Sequence, residues 1–348
     1  MDTTPHHPPQ GQGQSMKAWQ VQRHGDPVDV LALVETDLPT PGPDQVVVRV
    51  RATAANFPDV LLCRGEYQID SELPFTPGAE MCGEVVAVGS QVTDVSVGQR
   101  VIGMAALPHG GFAEYALLDA VSTFPAPDSL DDAEASAMLI AYQTAWFALH
   151  RRAAIRQGDT LLVHAAAGCV GSAAVQLGKA AGAVVIGVAN GEQKTQVVRE
   201  LGADLVVDRS TEDFVPVVKD FTDGRGVDVI FDPVGGETYQ RSTKVVAFEG
   251  RIVVIGFAGG EIQKAALNHA LVKNYSILGL HWGLYNTVDP QLVHDAHREL
   301  TELAGSGFRP LIGERIDLDD VPAALGRLAS GDTVGRTVMI PTTEGADE

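Results

Sequence analysis

The chain has 348 residues, with 25 Lys and Arg against 45 Asp and Glu, a formal net charge of −20. That balance disfavours nucleic acid and anionic membranes as partners, and no apolar run reaches the roughly 18 residues of a membrane span. Three scattered cysteines, Cys63, Cys82 and Cys169, speak against a disulfide framework and suit a reducing cytoplasm.

Residues 1–15 are polar and rich in Pro, Gly, His and Gln. They lack the apolar stretch of a signal peptide and read as a disordered tail. From about residue 17 to 137 the pattern is mostly β. Strand-like runs at 46–50 and 83–88 are punctuated by Pro, Gly and Asp. Pro41-Gly42-Pro43 reads as a turn between strands, and 98–103 as a turn feeding another strand. The expectation is a partly barrelled β domain.

From about residue 139 to 280, short β-branched runs alternate with helical patterns. The runs lie at 160–164, 184–188, 205–208, 227–232, 251–255 and 276–280. Helices are expected between them at 171–181, 192–201, 212–222 and 237–247. Six strands joined by crossovers imply a parallel doubly wound sheet. A helix at 290–304, a β-like return through Ile316, a helix at 321–328 and a strand at 337–340 follow. The nucleotide sheet already has six strands, so this last stretch is expected to pack on the β domain. The limits that follow are 16–137 with 285–341 for the β domain, 138–284 for the α/β domain, and an acidic tail at 342–348.

The first αβ junction carries the chemistry. Leu161-Leu162-Val163-His164-Ala165-Ala166-Ala167-Gly168-Cys169-Val170-Gly171 is an apolar run, a turn of small residues and a helix start. Gly168 and Gly171 let a phosphate approach backbone N–H groups, and the helix start favours negative charge. The turn departs from G-x-G-x-x-G, with Ala166 for the first Gly and Cys169 after Gly168. A tight turn that merely packs a helix on a sheet is the plain alternative. Ala167, Gly168, Cys169, Val170 and Gly171 are the candidate pyrophosphate contacts. An NAD site carries an acid about 20 residues further on. Here Gly187-Val188-Ala189-Asn190-Gly191 offers none, while Lys194 and Arg209 follow. Asn190 with these cations suits a 2′-phosphate, hence NADPH; Lys194 also reads as a surface lysine. Asp232-Pro233-Val234-Gly235-Gly236 ends the fourth strand and Gly256-Phe257 the fifth. Their glycines allow close backbone approach, so Val234, Gly256 and Phe257 join the candidates. No Cys-x-x-Cys pair exists, and neither structural nor catalytic zinc is expected.

Further motifs are Asn56-Phe57-Pro58-Asp59-Val60-Leu61-Leu62, Gly65-Glu66-Tyr67, Leu73-Pro74-Phe75-Thr76-Pro77-Gly78, Ala79-Glu80 and Lys273-Asn274-Tyr275. With the turn and the two strand ends, they make residues 16–341 resemble the medium-chain dehydrogenase/reductases, in their zinc-free quinone oxidoreductase (zeta-crystallin-like) branch. The resemblance implies a GroES-like β domain plus a Rossmann sheet, NADPH as cofactor and a quinone as substrate. Zinc-dependent relatives have a ligand Cys where Asn56 stands and a ligand His where Ala79 stands. The branch typically has a Tyr where Arg209 ends the third strand. The resemblance puts Asn56 at the cofactor–substrate junction, Thr144 near the nicotinamide, and Tyr67 where related enoyl-thioester reductases have a proton-donating Tyr. Asn56 and Tyr67 are therefore the candidate catalytic residues, with a turn cap and a core aromatic as the bland readings. Asp59 reads first as a helix cap, and Tyr142, His281 and Trp282 as packing. Two further functions stay open: reduction of α,β-unsaturated ketones or enoyl thioesters with Tyr67 as acid, and a non-enzymatic cofactor- or RNA-binding role, which the charge opposes. Family members often pair at the edge of the sheet, so a homodimer is expected.

Overall fold

The computed structural model describes residues 15–68 and 71–341. The expected tails fall outside the described residues, except that Ser15 already opens a strand. The first six strands are β1 (Ser15–Val21), β2 (Leu31–Asp37), β3 (Gln45–Ala54), β4 (Glu80–Val88), β5 (Arg100–Ala105) and β6 (Tyr115–Pro125). Six more are β7 (Thr160–Val163), β8 (Val184–Ala189), β9 (Leu205–Asp208), β10 (Val227–Asp232), β11 (Val246–Val254) and β12 (Ser276–Gly279). The last two are β13 (Ile312–Ile316) and β14 (Arg336–Met339). One compact unit runs through Leu139 and resumes at Ile312; the other is Ile140–Leu311.

In the first unit the sheet order is β13-β14-β3-β4-β5-β6, and β3 also pairs with β6, so the sheet curls on itself. Val46, Val48 and Val50 alternate along β3 and point to one core with Val85, Val101 and Leu118. The helix Val321–Ser330 lays Val321, Ala324 and Leu325 on that core. Its apolar spacing made it readable in advance.

The second unit holds the parallel sheet β12-β11-β10-β7-β8-β9. The chain builds outward from β7 to β9, then returns to the other side of β7 with β10. That reversal is the switch point where such sheets bind ligands. Leu161, Leu162 and Val163 are fully buried, as suits a strand covered on both faces. All six expected strands are present, and the GroES-like and Rossmann expectation holds.

Three expectations need correction. The helix expected at 237–247 ends at Ser242, and Val246 already pairs with Val227 in the sheet. Its apolar residues Val245 and Val246 fill the sheet's core and only imitate a helix face. A helix at Leu139–Trp146, continued as a π-turn at Phe147–Arg152, was not foreseen. It is buried around most of its circumference, so no amphipathic stripe marks it. Finally, the helix Pro290–Gly305 lies in the second unit, not the first. Gln143 Nε2 donates to the Val293 carbonyl at 3.0 Å, and Trp146 Nε1 donates to Glu299 at 2.8 Å. These bonds tether it, so the chain rejoins the first unit at Ile312 rather than at residue 285.

Candidate functional site

After β7 the backbone turns sharply. Ala165 takes a left-handed φ of +50°. Ala166 N–H donates to the Val188 carbonyl at 3.0 Å and Gly168 N–H to the Ala165 carbonyl at 2.9 Å. The twelve-residue helix Cys169–Ala180 then starts with Gly168 as an N-cap that has no side chain to offer. The N–H groups of Val170 and Gly171 have no acceptor among the described residues. A Cβ at Gly171 would lie 2.2 Å from the Ala165 carbonyl oxygen, so only glycine fits there. Unpaired N–H groups at a helix start, behind a turn too tight for side chains, fit a pyrophosphate. The turn thus brings Ala167, Gly168, Cys169, Val170 and Gly171 together. Burial pushes the Cys169 thiol up to about 11, so it stays protonated at neutral pH.

A groove of about 360 Å³ opens at the carboxyl ends of the strands. Asn190, Arg209 and Val234 line it, as do His164, Phe214 and Arg241, which sequence reading did not single out. Lys194, in the first turn of the helix Glu192–Glu200, is not part of its wall. Asp208 shapes the rim. Its Oδ1 accepts from Gly191 N–H at 2.9 Å and from the Ser210 hydroxyl at 2.6 Å, which holds its carboxyl below the ordinary value. The acid that ends β9 therefore fixes the loop after β8, which has no acid of its own. Arg209 is exposed, and its guanidinium has no partner among the described residues. His164 is buried with Nε2 2.8 Å from Ser242 Oγ, which itself donates to the Thr238 carbonyl. Burial first, then Arg209, pushes the His164 imidazole down to about 3, so it is neutral.

The loops after β10 and β11 are zipped together. Asp232 Oδ1 accepts from Val234 and Gly235 N–H, Ala258 N–H reaches the Pro233 carbonyl, and Gly259 N–H reaches that of Val234. This brings Val234, Gly256 and Phe257 close. Thr144 is buried on the helix Leu139–Trp146, with its hydroxyl unpaired among the described residues. Its neighbours are packing residues: Trp282 is buried, and its indole N–H donates to Gln143 at 3.3 Å.

The first unit holds a buried polar cluster. The helix Phe57–Arg64 starts after Asn56, with Pro58 in its first turn and Gly65 closing it in a left-handed conformation. Asp59 caps it: Oδ2 accepts from Asn56 N–H at 2.8 Å, while Oδ1 takes Gly78 and Ala79 N–H, each at 3.0 Å. Asn56 Nδ2 donates to the Ala54 carbonyl at 3.1 Å and to Glu80 Oε1 at 3.0 Å, and Oδ1 accepts from Arg336 Nη1 at 2.9 Å. Arg336 Nη2 is paired with the same Glu80 oxygen. Asn56, Asp59, Glu80 and Arg336 are all at most 3 % exposed. Both amide hydrogens of Asn56 are therefore committed, and none is left for a substrate. Burial pushes Asp59 up to about 6, against three backbone hydrogen bonds. It pushes Arg336 down to about 10, still charged at neutral pH.

Tyr67 differs. The residue is half-buried, its ring packs on the cluster that contains Val21, Leu62, Cys63 and Phe75, and its hydroxyl has no partner among the described residues. Burial, then the Asp59 charge, raises its pKa, which keeps it a phenol. Cys63 and Cys82 are buried thiols pushed up to about 12. Among the described residues no three His, Cys, Asp or Glu side chains converge to hold a metal ion. Nor is any described helix long and apolar enough to cross a membrane.

Residues 42–128 match the alcohol dehydrogenase GroES-like domain, and 169–298 match the zinc-binding dehydrogenase family. The quinone oxidoreductase-like protein 2 homolog of Nematostella vectensis is 40 % identical over 301 residues, 86 % of this chain and 82 % of that protein. Mycobacterial Rv1454c, solved in complex with NADPH, is 30 % identical with a TM-score of 0.87, covering 94 % of this chain and 100 % of that one. The CurK enoyl reductase is 27 % identical with a TM-score of 0.84, covering the same shares.

Proposed function

Because the chain belongs to the zinc-free quinone oxidoreductase branch of the medium-chain dehydrogenase/reductases, we propose that it reduces a small-molecule quinone with NADPH and without a metal ion. The observation that carries the cofactor choice is Asn190, at the place of an acid, in one groove with an Arg209 guanidinium that has no partner among the described residues. The likeness to an NADPH complex supports it. Lys194 adds positive charge at longer range.

Bound NADPH supplies the hydride. The N–H groups of Val170 and Gly171 hold its pyrophosphate, in the turn formed by Ala167, Gly168 and Cys169. Thr144, Val234, Gly256 and Phe257 border the rest of it. Tyr67 hydrogen-bonds the substrate oxygen that gains charge and hands it a proton. Asn56, with its donors committed, acts by fixing the head of the helix Phe57–Arg64. The zinc-ligand positions offer Asn56 and Ala79, so this polarisation falls to hydrogen bonds.

A second reading is favoured by the Tyr67 hydroxyl, which has no partner among the described residues, and by the likeness to an enoyl reductase. In it the hydride goes to the β-carbon of an enone or enoyl thioester, and Tyr67 protonates the enolate. The test is oxidation of NADPH and NADH against quinone and enone panels, with wild type and Tyr67→Phe. Quinone turnover with tighter NADPH binding is expected. Enone turnover alone, lost in Tyr67→Phe, would select the second reading. Equal affinity for NADH and NADPH would sink the cofactor choice.

The same reading includes a homodimer. Among the described residues β12 pairs only with β11, and the helix Leu267–Lys273 has no buried residue. Leu267, Leu271 and Val272 are each more than 70 % exposed. An open strand edge beside an apolar patch is a surface that a second copy can cover. Light scattering should give a dimer, and Leu271→Asp a monomer.

A further inference from the structure

The groove in the second unit contains a second arginine that the cofactor reading above leaves unused. Arg241 lies on the helix Gly236–Ser242. Its guanidinium is paired with Asp213 and, at 3.7 Å, with Glu237. Its central carbon stands 5.4 Å from the centroid of the Phe214 ring. Two of these three supports, Asp213 and Phe214, are themselves fixed. Asp213 Oδ1 accepts from Val215 N–H at 2.9 Å as a helix cap. Phe214 is buried and meets the His164 ring edge-on, with centroids 4.9 Å apart. The guanidinium thus stands over the Phe214 ring, tied by Asp213 and Glu237, with its side chain partly exposed.

The two arginines suit different ligands. A phosphate approaching Arg241 would meet Asp213 and Glu237 and be repelled. A flat heteroaromatic ring has no such conflict: guanidinium planes stack on π-faces, and the carboxylates keep the plane in place. Val188 and Val234 add apolar wall to the same groove. Its volume, about 360 Å³, is near the lower end of ligand clefts at about 300–1,000 Å³. That suits one end of a dinucleotide rather than the whole.

We infer that Arg241 is the platform on which the cofactor's adenine stacks, a contact made equally to NADH and NADPH, while Arg209 reads the 2′-phosphate. Only the second half of this assignment rests on the NADPH reading. The experiment uses the full chain and two fragments without nicotinamide, 5′-AMP and 2′,5′-ADP, titrated by calorimetry. Arg241→Ala should weaken both by about tenfold, the loss of roughly one stacked base. Arg241→Lys keeps the charge and loses the plane, so it should weaken both by a similar factor. Arg209→Gln should weaken 2′,5′-ADP alone. Thermal unfolding checks that each variant is folded, and Arg241→Lys decides if Arg241→Ala is not. The platform is overturned if the Arg241 variants bind 5′-AMP as wild type does, if Arg241→Lys keeps full affinity, or if only 2′,5′-ADP is affected. Equal binding of the two fragments by wild type would instead remove the NADPH reading, and the platform would then be judged on 5′-AMP.

Discussion

The polar groups around Asn56 and those around Arg209 are treated in opposite ways. In the first unit, Asn56, Asp59, Glu80 and Arg336 are buried, and the amide and carboxylates there answer one another or the backbone. In the second unit, the N–H groups of Val170 and Gly171 and the Arg209 guanidinium answer nothing among the described residues. An unpaired buried polar group costs about 1–3 kcal/mol, whereas an exposed guanidinium and the first N–H groups of a helix can wait for a ligand. The difference separates groups that hold a shape from groups left available to hold a molecule. It predicts that mutations in the first set act on stability and those in the second on binding.

The strongest test of that division is Arg336→Met. Removing the cation leaves Glu80 buried without its charge partner, which should cost about 3–5 kcal/mol. Adding Glu80→Gln should restore part of the loss, because the stranded charge goes with it. Urea unfolding of the full chain measures both. A loss below about 1 kcal/mol would mean that the cluster behaves like a surface pair. Asp59 gives the next largest effect, and its sign can be worked out. Its folded pKa, about 6, lies above the ordinary 3.8, so the folded chain binds more protons between those values. Its contribution to stability is therefore fully present below about pH 4 and is lost as pH rises through about 6, by roughly 3 kcal/mol. The stability difference between wild type and Asp59→Asn should slope across that window. A flat difference would show that the backbone hydrogen bonds, not burial, control the carboxyl.

Sequence legibility follows the same division. The turn at Gly168 and Gly171 was readable because its pattern is local: a strand, small residues and a helix in succession. So were the β-branched strands on either side. The cluster around Asn56 was not, since Arg336 lies 280 residues further along the chain, and no local pattern announces a buried arginine in a strand. Asn56 itself was marked as a donor to substrate by resemblance; its committed hydrogens emerge only when Glu80 and Ala54 are placed beside it. Arg241 was missed for a related reason. Which face of a seven-residue helix meets Phe214 is a matter of packing. The helix Leu139–Trp146 escaped because it is apolar on nearly every side.

Arg209→Gln tests the other arm. Its guanidinium has no protein partner among the described residues to lose, so stability should stay within about 0.5 kcal/mol of wild type. NADPH affinity should fall about tenfold, a single charge-assisted contact, with NADH unchanged. Fluorescence titration with the two cofactors reads this directly. A drop in stability without a change in affinity would place Arg209 with the holding groups instead.

Tyr67 sharpens the comparison because it crosses it. It lies in the first unit, yet among the described residues its hydroxyl is as unengaged as Arg209, while its ring packs on the cluster of Val21, Leu62 and Phe75. Tyr67→Phe keeps that ring and removes only the oxygen. If the division follows partners rather than units, stability should move by no more than about 0.5 kcal/mol. Turnover should still fall, by about 10²-fold or more where a proton must be delivered. Burial and Asp59 hold the phenol protonated, so the loss should be the same across the neutral pH range. A Tyr67→Phe protein that loses stability but keeps its turnover would put the hydroxyl among the groups that hold shape, and the acid would have to be sought elsewhere.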